Sequence, residues 1–401
     1  MAEIKTVDQV IKDIGKQFEG IVQKGFTAEE CKIELISLGS ISLDFCLYGG
    51  IRSSRVIEIS GGEGSGKSTL SSLATASFQR AYPDEKVLYM DLEGTFDPTW
   101  AEKLGVRLDS DHFIYYQSFG QSGEVILNHL VSFLKAGVRW IVIDSLPKLV
   151  PEFIQEEDNL EQKSMGGNAK LLADFVNRYS GLIHKQKAII IGINQLRDNM
   201  SQYGDPYKTT GGRAWKHECS VRLMVKRGDF FDQNGEKVKK KDAQSPAGHY
   251  IEMYVLKNKD APWDRKLGFT KLHYWKGIDY VADLLEVAIY FNLIDNSKVG
   301  WFGILNEDGT PMLDENGKEI RLNGRAKLAE YLKSHREVTA ILYKKVRHLM
   351  EQKGSTYIKG FEEMLGAGTS LVVDEDGDLA PINTLKIDKE TNRSRLEITI
   401  H

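Results

Sequence analysis

The sequence has few cysteines, no long apolar run and little net charge. Three cysteines, Cys31, Cys46 and Cys219, occur in 401 residues, an odd number without the Cys-x-x-Cys spacing of metal sites. This usage disfavours a disulfide framework or a zinc site and fits a reducing cytoplasm. No apolar stretch approaches the roughly 18 residues of a membrane span, and the polar start MAEIKTVDQV lacks a signal-peptide pattern. We therefore expect a cytoplasmic globular protein.

A net charge of −4 provides no global field that would select a partner, but the charge is unevenly distributed. Residues 197–276 contain 17 Lys and Arg against 10 Asp and Glu, which leaves the rest of the chain at −11. Such asymmetry favours a face that binds an anion. A lysine-rich hairpin tip is an equally good interpretation of the charge alone.

Strands and helices alternate through the first half of the chain. An amphipathic helix is predicted from Val7 to Phe18, with a capping box formed by Thr6 and Gln9. Beyond it, apolar runs predict strands at 55–60, 86–93, 112–117, 140–146 and 188–195. The intervening stretches predict helices, and this order indicates an α/β fold with a doubly wound, mostly parallel sheet.

The alternation of strands and helices ends at about Ser220. Three strands follow without intervening helices, at 220–228, 249–259 and 266–277, and we expect them to pair antiparallel. Beyond Val281 the pattern becomes helical, interrupted by a turn-rich stretch at 306–320. The chain therefore carries a smaller C-terminal region after its main sheet.

The stretch SGGEGSGKSTL, residues 60–70, lies between a predicted strand and a predicted helix. It fits the G-x-x-x-x-G-K-[ST] phosphate loop, in which backbone N–H groups and the helix N-terminus bind phosphate oxygens. Lys67 would neutralise the β- and γ-phosphates, and the Ser68 hydroxyl would ligate Mg²⁺. The predicted nucleotide-binding residues of the loop are Gly61, Glu63, Gly64, Ser65, Gly66, Lys67, Ser68 and Thr69. The alternative, a flexible glycine turn, is disfavoured by the flanking strand and helix.

Two carboxylates follow predicted strands where the chemistry needs them. Asp144 ends the run WIVID and is the predicted second anchor for Mg²⁺, with a helix N-cap as the alternative. Glu93 ends LYMDLE, on a strand expected beside that of the phosphate loop, and could orient the attacking water. Asp91 competes for this role on spacing alone.

Seven stretches occur in an order and spacing that resemble the RecA-type homologous recombinases, including the UvsX-like recombinases of phages. The resemblance runs from about residue 5 to about residue 350, and the stretches read LGSISLDFCLYGG, SGGEGSGKST, DLEGTFDPTWAEKLGV, WIVIDSL, SMGGNAK, INQLRDNMSQYGDPYKTTGGRAWKHECSVRL and VLKNKDAPW. The resemblance implies a phosphate-loop ATPase core of the RecA type that uses ATP and Mg²⁺.

The resemblance also implies roles at the nucleotide. Glu93 matches the catalytic glutamate of the family, and Gln195 matches the residue that senses the γ-phosphate. Asp97 and Trp100 match the positions that hold adenine; the family often has Tyr for Trp100, which could otherwise be a core residue of a short helix. Lys257 and Lys259 match lysines that reach a neighbouring subunit's ATP. From the pattern alone, two alternate lysines on a strand favour a solvated face.

Two polar, glycine-rich segments match the DNA-binding loops of the family, at 156–167 and 196–212. The implied DNA-binding residues are Ser164, Met165, Gly166, Lys170, Leu196, Arg197, Tyr203, Thr209, Thr210, Gly211, Gly212 and Arg213. Glycine and threonine suit contacts to phosphate, and Tyr203 could stack on a base or on a neighbouring subunit. Asn is usual in bacterial relatives at Arg213. Each of these side chains could alternatively be a solvated loop residue.

The expected organisation is an N-terminal helix and oligomerisation arm at 1–33, an ATPase core at 34–295 and a C-terminal domain and tail at 296–401. The resemblance implies a DNA-dependent ATPase that forms filaments on single-stranded DNA, pairs it with homologous duplex and exchanges strands in recombination and repair. Single-strand-binding or mediator proteins are further candidate partners, and the expected location is the cytoplasm of a bacterium or a phage-infected host. A hexameric motor, an ATP-binding mediator without strand exchange and a metabolic kinase are the alternatives.

Two stretches depart from bacterial relatives. The stretch 229–248 is longer and more basic than in bacterial relatives. Its KVKKK segment, at 237–241, could be either a hairpin tip or a contact to duplex DNA. The tail 354–401 has only DEDGD in place of a strongly acidic end.

Overall fold

The computed structural model describes residues 6–17, 22, 33–155, 167–198, 207–233, 235–239, 244–262, 264–352 and 356–359. The chain divides into two compact units, Met1–Ile33 and Glu34–His401. Helix α1 (Val7–Gln17) begins with the predicted capping box. The N–H of Thr6 donates to Gln9 Oε1 at 2.7 Å, and the N–H of Gln9 donates to Thr6 Oγ1 at 3.3 Å. The pair satisfies two N–H groups at the helix start. Phe18 lies outside the described residues.

Short elements lead into the second unit. Strand β1 (Ile33–Ile36), helix α2 (Ile41–Cys46) and strand β2 (Ile51–Arg52) follow one another, and β1 pairs antiparallel with β2. Ser40 caps α2 by accepting a hydrogen bond from the N–H of Leu43. These elements precede the main sheet.

Five parallel strands form one half of the main sheet. In chain order the elements are β3 (Arg55–Gly61), α3 (Lys67–Ala81), β4 (Val87–Asp91), α4 (Pro98–Lys103), β5 (Phe113–Gln117), α5 (Gly123–Lys135), β6 (Trp140–Asp144), α6 (Glu152–Gln155), α7 (Gly167–Lys185) and β7 (Ile189–Gln195), with a 3₁₀ turn at Leu146–Lys148. Across the sheet the order is β3-β7-β6-β4-β5, with every pair parallel. The doubly wound arrangement predicted from the sequence is confirmed.

The next part of the chain adds the antiparallel half of the main sheet. The elements are β8 (Arg197–Asp198), β9 (Tyr207–Lys208), α8 (Gly212–Glu218), β10 (Val221–Phe231), β11 (Lys237–Val238), β12 (Gly248–Asn258), β13 (Leu267–His273) and β14 (Gly277–Ile278). Strands β8 and β9 form a separate two-stranded sheet. Strand β10 pairs parallel with β3 and antiparallel with β12, after which β13 and β14 follow outward. Strand β3 therefore lies between the two halves.

The C-terminal region packs against this second half. It contains α9 (Tyr280–Tyr290), β15 (Ile294–Asp295), β16 (Trp301–Ile304), β17 (Arg321–Asn323), α10 (Arg325–Ser334), α11 (Arg336–Gln352) and β18 (Thr356–Lys359), which joins β1. The small sheet β15-β16-β17 was not predicted from the sequence. Asp283 on α9 accepts a hydrogen bond from Ser40, and Lys333 on α10 donates to Asp279 at 3.3 Å.

One expectation about strand order was wrong. Strand β4, which precedes Glu93, is separated from β3 by β6 and β7 rather than lying beside it. It also ends at Asp91 instead of 93, because the Asp91 carboxylate accepts hydrogen bonds from the N–H groups of Gly94, Thr95 and Phe96. These bonds turn the chain out of the sheet and place Glu93 on the turn.

Helices cover both faces of the parallel half. On one face, alternate residues of β4, β6 and β7 pack with α5 and α7 in a single apolar cluster. On the other face, Trp140 stacks on Phe78 of α3 with ring centroids 4.8 Å apart and donates its indole N–H to Thr75 at 2.9 Å. Among the described residues, no helix is long and apolar enough to cross a membrane.

Candidate active site and nucleic-acid interface

The loop between β3 and α3 requires glycine for steric and conformational reasons. Gly64 and Gly66 have φ of 60° and 97°, in the left-handed region that other residues rarely adopt. A Cβ on Gly61 would lie 2.5 Å from Ser65 Oγ, and one on Gly66 would lie 3.0 Å from Ile251 Cδ1. The loop backbone is thus tightly packed and ends at the first turn of a buried helix.

Three loop and strand residues gather beside this turn. The Lys67 ammonium donates to the carbonyl of Gly62 at 2.7 Å. The Ser68 hydroxyl donates to Asp144 Oδ2 at 2.9 Å, and Tyr89 donates to the same oxygen at 2.8 Å. Burial lowers the pKa of Lys67, an effect that the charges of Asp144 and Glu93 oppose. Burial also shifts the pKa of Asp144, in this case upward, and the hydrogen bonds from Tyr89 and Ser68 oppose that shift.

These oxygens fit a magnesium ion. Octahedral Mg²⁺ has oxygen ligands at about 2.0–2.1 Å, so neighbouring ligands lie about 2.9 Å apart. Ser68 Oγ and Asp144 Oδ2 have that separation, 2.9 Å. Both are hard oxygen donors of the kind that Mg²⁺ prefers.

Glu93 stands at the centre of a small hydrogen-bonded group. Its Oε1 accepts from the Ser145 hydroxyl, next to Asp144, and from Gln195 Nε2 at 2.9 Å. Gln195 is the last residue of β7 and leads directly into the predicted second DNA loop. Asp91 is different: it is buried, and its oxygens are used by backbone N–H groups and by the Tyr115 hydroxyl at 2.9 Å. The geometry therefore favours Glu93 over Asp91 as the carboxylate that could orient the attacking water, because the Asp91 oxygens are already engaged in hydrogen bonds.

Asp97 and Trp100 begin helix α4. The Asp97 carboxylate accepts from the N–H of Trp100 at 3.0 Å as the N-cap, and the Trp100 indole N–H donates to the Thr69 hydroxyl at 3.3 Å. Trp100 is only partly buried and is therefore not a core residue. Its contact with Thr69 brings it to the helix that follows the phosphate loop.

Lys257 and Lys259 both reach the end of helix α8. Lys257 Nζ donates to the carbonyls of Lys216 and His217 at 2.6 and 3.1 Å, and Lys259 Nζ donates to that of His217 at 2.6 Å. Burial lowers the pKa of Lys257, and the charge of Lys259 adds to this. Cations at the carbonyl end of a helix are favourable, so these lysines are fixed rather than simply solvated.

The described ends of the two predicted DNA loops meet in one cleft of about 480 Å³. Its lining includes Gly167, Ala169, Arg197, Lys208, Thr209, Thr210, Gly211 and Gly212. Arg197 on β8 pairs with Lys208 on β9, which closes the base of the second loop. Gly212 is required there, because a Cβ would lie 2.9 Å from that of Ala169 on α7.

The remaining predicted DNA residues divide into two groups. Lys170 and Arg213 are exposed on the first turns of α7 and α8, and Leu196 is partly exposed after β7. Four others, Ser164, Met165, Gly166 and Tyr203, lie outside the described residues, as does the whole of 156–166 and 199–206.

A buried polar group links the nucleotide strand to the second loop and was missed in the sequence. Glu58 on β3 is fully buried; it accepts from Arg222 at 2.9 Å and from Asn194 at 3.1 Å. Asn194 also donates to the carbonyl of Thr210 at 2.9 Å and accepts from its N–H at 3.2 Å. The signal was present, since Glu58 is the one charged residue inside the apolar run VIEIS.

The fold and this loop, with its lysine, hydroxyl and carboxylate, define a phosphate-loop nucleoside triphosphatase. The RecA N-terminal domain family matches residues 5–279 of the chain. The chain is 32% identical over 339 residues to Protein RecA of Bacillus thuringiensis (strain Al Hakam), covering 83% of this chain and 94% of the relative. It is 33% identical over 345 residues to Protein RecA of Enterococcus faecalis, covering 85% and 90%, and 34% identical over 310 residues to Protein RecA of Phytoplasma mali, covering 76% and 86%.

The chain belongs to the RecA family. Members of this family are DNA-dependent ATPases that use ATP with Mg²⁺, form filaments and bind single- and double-stranded DNA. The protein is therefore a recombinase that acts in DNA recombination and repair. The recognition made from the seven sequence motifs is confirmed.

Proposed function

We propose that the loop Gly61–Thr69 binds the phosphates of ATP, with Lys67 as the cation and Ser68 and Asp144 as protein ligands of Mg²⁺. The metal would neutralise phosphate charge and orient the γ-phosphate. The 2.9 Å separation of the two oxygens supports this assignment. Asp97 and Trp100 would hold the adenine, since Trp100 lies against Thr69 at the same end of α3.

Glu93 is assigned the role of general base for the attacking water. It is the carboxylate left available at this edge, since Asp91 is engaged by the turn. The observation that carries the functional proposal is the 2.9 Å hydrogen bond from Gln195 Nε2 to Glu93 Oε1. Gln195 joins the water-activating group to the start of the second DNA loop, so DNA binding and hydrolysis would be coupled through one side chain.

The cleft between the loop ends is assigned to single-stranded DNA. Backbone N–H groups at Gly211 and Gly212 and the hydroxyls of Thr209 and Thr210 offer phosphate contacts, with Arg197 supplying charge. Lys170, Leu196 and Arg213 would contribute from its margins, and Ser164, Met165, Gly166 and Tyr203 from the loops themselves. Backbone contacts suit a protein that lets base pairing test homology.

Lys257 and Lys259 are assigned to the neighbouring subunit's ATP, where they would stabilise charge on the transferring phosphoryl group. Their position at the end of α8, the helix that follows the second loop, supports a link between DNA occupancy and this contact. Helix α1, with its amphipathic pattern, would dock on the adjacent subunit as part of an arm at 1–33. The C-terminal domain would begin near 296, and the protein would work in the cytoplasm of a bacterium or a phage-infected host.

The deciding experiment measures ATP hydrolysis with and without single-stranded DNA for the wild type, Lys257→Ala and Lys327→Ala, alongside negative-stain microscopy. Lys327 is an exposed lysine of α10 and serves as the matched control. We expect DNA-stimulated hydrolysis and helical filaments for the wild type and the control, and loss of stimulation for Lys257→Ala. Closed rings, or hydrolysis indifferent to DNA and to Lys257, would instead favour a hexameric motor or a non-catalytic mediator.

A further inference from the structure

Arg227 of strand β10 contacts the outer side of the phosphate loop. Val225 of β10 pairs in parallel with Gly61, the first residue of the loop motif, and Arg227 follows two residues later. The Arg227 Nε and Nη2 atoms donate to the carbonyl oxygen of Gly64 at 3.1 and 2.9 Å. The loop is therefore attached to the antiparallel half of the sheet through a forked, charged hydrogen bond.

The loop is shaped to accept this guanidinium. A Cβ on Gly64 would lie 2.3 Å from Arg227 Nη2, so the close approach requires glycine. The φ of 60° at Gly64 also lies in the region that glycine adopts most readily. Two independent features of Gly64 thus favour the arrangement in which Arg227 holds its carbonyl.

The orientation of one carbonyl determines the orientation of the next N–H. In a planar trans peptide the C=O of Gly64 and the N–H of Ser65 point in opposite directions. A phosphate loop binds its ligand by directing N–H groups inward and carbonyl groups outward. By holding the Gly64 carbonyl, Arg227 fixes the Ser65 N–H on the opposite side of the loop.

We propose that Arg227 is a positioning residue for nucleotide binding, which holds the Gly64–Ser65 peptide in the orientation that phosphate binding requires. The proposal rests on the assignment of this loop to ATP made above. Arg227 would act through the loop backbone, without contact to the nucleotide. It also gives the antiparallel half of the sheet a direct influence on the ATP site.

A second use of Arg227 competes with this one. The residue borders a cleft of about 810 Å³, together with Glu63, Leu196, Lys226 and Glu252. A polyanion in that cleft could be the direct partner of the guanidinium. The two uses predict different consequences when the guanidinium is removed.

The test compares full-length wild type with Arg227→Ala, Arg227→Lys and the control Lys327→Ala. Lys327 is an exposed lysine of α10 and is not among the residues that line the cleft beside Arg227. The dissociation constant for Mg²⁺-ADP is measured without DNA, and that for single-stranded DNA without nucleotide. Thermal melts verify that each variant is folded.

We expect Arg227→Ala to bind ADP about 10-fold more weakly, the effect of losing a charged hydrogen bond. Arg227→Lys should have an intermediate ADP affinity, because a single ammonium replaces the forked guanidinium, and Lys327→Ala should match the wild type. Added guanidinium ion should restore ADP affinity in Arg227→Ala and leave the wild type unaffected, a rescue that a loss of general stability would not show.

ADP affinity that is unchanged in Arg227→Ala would overturn the proposal, and a simultaneous loss of DNA affinity would assign Arg227 to the polyanion. Failure of guanidinium to rescue a weakened variant would also count against it. If the wild type bound no ADP, or Lys67→Ala bound it normally, the assignment of the loop itself would fail, and with it the role of Arg227.

Discussion

The two halves of the main sheet follow different rules of burial. In the parallel half, every residue of β4 and β6 is buried, because helices cover both faces. In the antiparallel half, β10, β12 and β13 alternate between buried and partly exposed residues, as strands with one covered face do. The fully buried strands β4 and β6 can offer functional groups only at their ends, whereas the antiparallel half can offer them along a whole face.

The comparison explains how the ATP site is assembled. Asp144 is the last residue of β6 and Glu93 lies shortly after β4, at the carboxyl edge where open α/β sheets bind ligands. Ile251 and Arg227 reach the same loop from the antiparallel half, one through a methyl group and the other through hydrogen bonds. The parallel half supplies the carboxylates of the site, and the antiparallel half supports the conformation of the phosphate loop.

The largest effect should come from the chemical contribution of the parallel half. Glu93→Gln should lower ATP hydrolysis by about 10²–10⁴-fold, because the amide cannot accept a proton from water. ATP binding and filament formation should persist, since the loop and Asp144 are unchanged. Single-turnover hydrolysis and nucleotide binding, measured side by side, distinguish a loss of hydrolysis from a loss of ATP binding. Near-normal hydrolysis in the variant would mean that another group activates the water.

A matched pair of core truncations compares the two halves directly. Ile191 on β7 and Ile251 on β12 are both fully buried, and each replacement by Ala should lower the free energy of unfolding by about 2–5 kcal/mol. Only Ile251→Ala should also weaken ADP binding, because its side chain packs on Gly66. Denaturant unfolding and ADP titration measure both properties. Equal ADP affinities for the two variants would contradict a supporting role for the antiparallel half.

A smaller effect should appear where the antiparallel half meets α9. Burial raises the pKa of Asp283 to about 8, and the neighbouring charges of Asp279 and Glu286 add to this. The folded protein therefore retains a proton that the unfolded chain releases above its ordinary pKa of 3.8, so stability falls as the pH rises from 3.8 to 8.

Asp283→Asn removes this titration while keeping an acceptor for the Ser40 hydroxyl. We expect the variant to be more stable than the wild type at pH 8 by about 1–2 kcal/mol, and this difference should shrink towards acidic pH. Thermal melts across the pH range provide the measurement, with Asp84→Asn, at an exposed carboxylate, as control. A gain that does not vary with pH would show that Asp283 is not the titrating group.

The same contrast separates what could be predicted from the sequence and what could not. The parallel strands were predicted because continuous apolar runs reflect burial on both faces, and the phosphate loop because its glycines are dictated by local geometry. Strand order is set by crossovers between distant segments, which is why Glu93 was expected beside the wrong strand. Strands of two to four residues, such as β15 and β16, carry too few alternations to be recognised.

Side-chain partners that only tertiary packing brings together could not be predicted from the sequence either. The lysines Lys257 and Lys259 looked like a solvated face, because the carbonyls that hold them belong to a helix some forty residues earlier. Arg227 carried no motif at all. Its partner is a backbone atom, which leaves no trace in residue identity.

The central place of β3 has a practical consequence for dissecting the protein. A fragment that stopped after α8 would contain every residue of the phosphate loop, yet it would leave one edge of β3 without the ladder that β10 provides. Such an edge invites pairing between fragments. Extending the fragment to the end of β14 would repair that edge but remove Asp283, the partner of Ser40 near the start of the unit. The smallest piece that keeps both the β3–β10 ladder and the Ser40–Asp283 hydrogen bond therefore continues through α9.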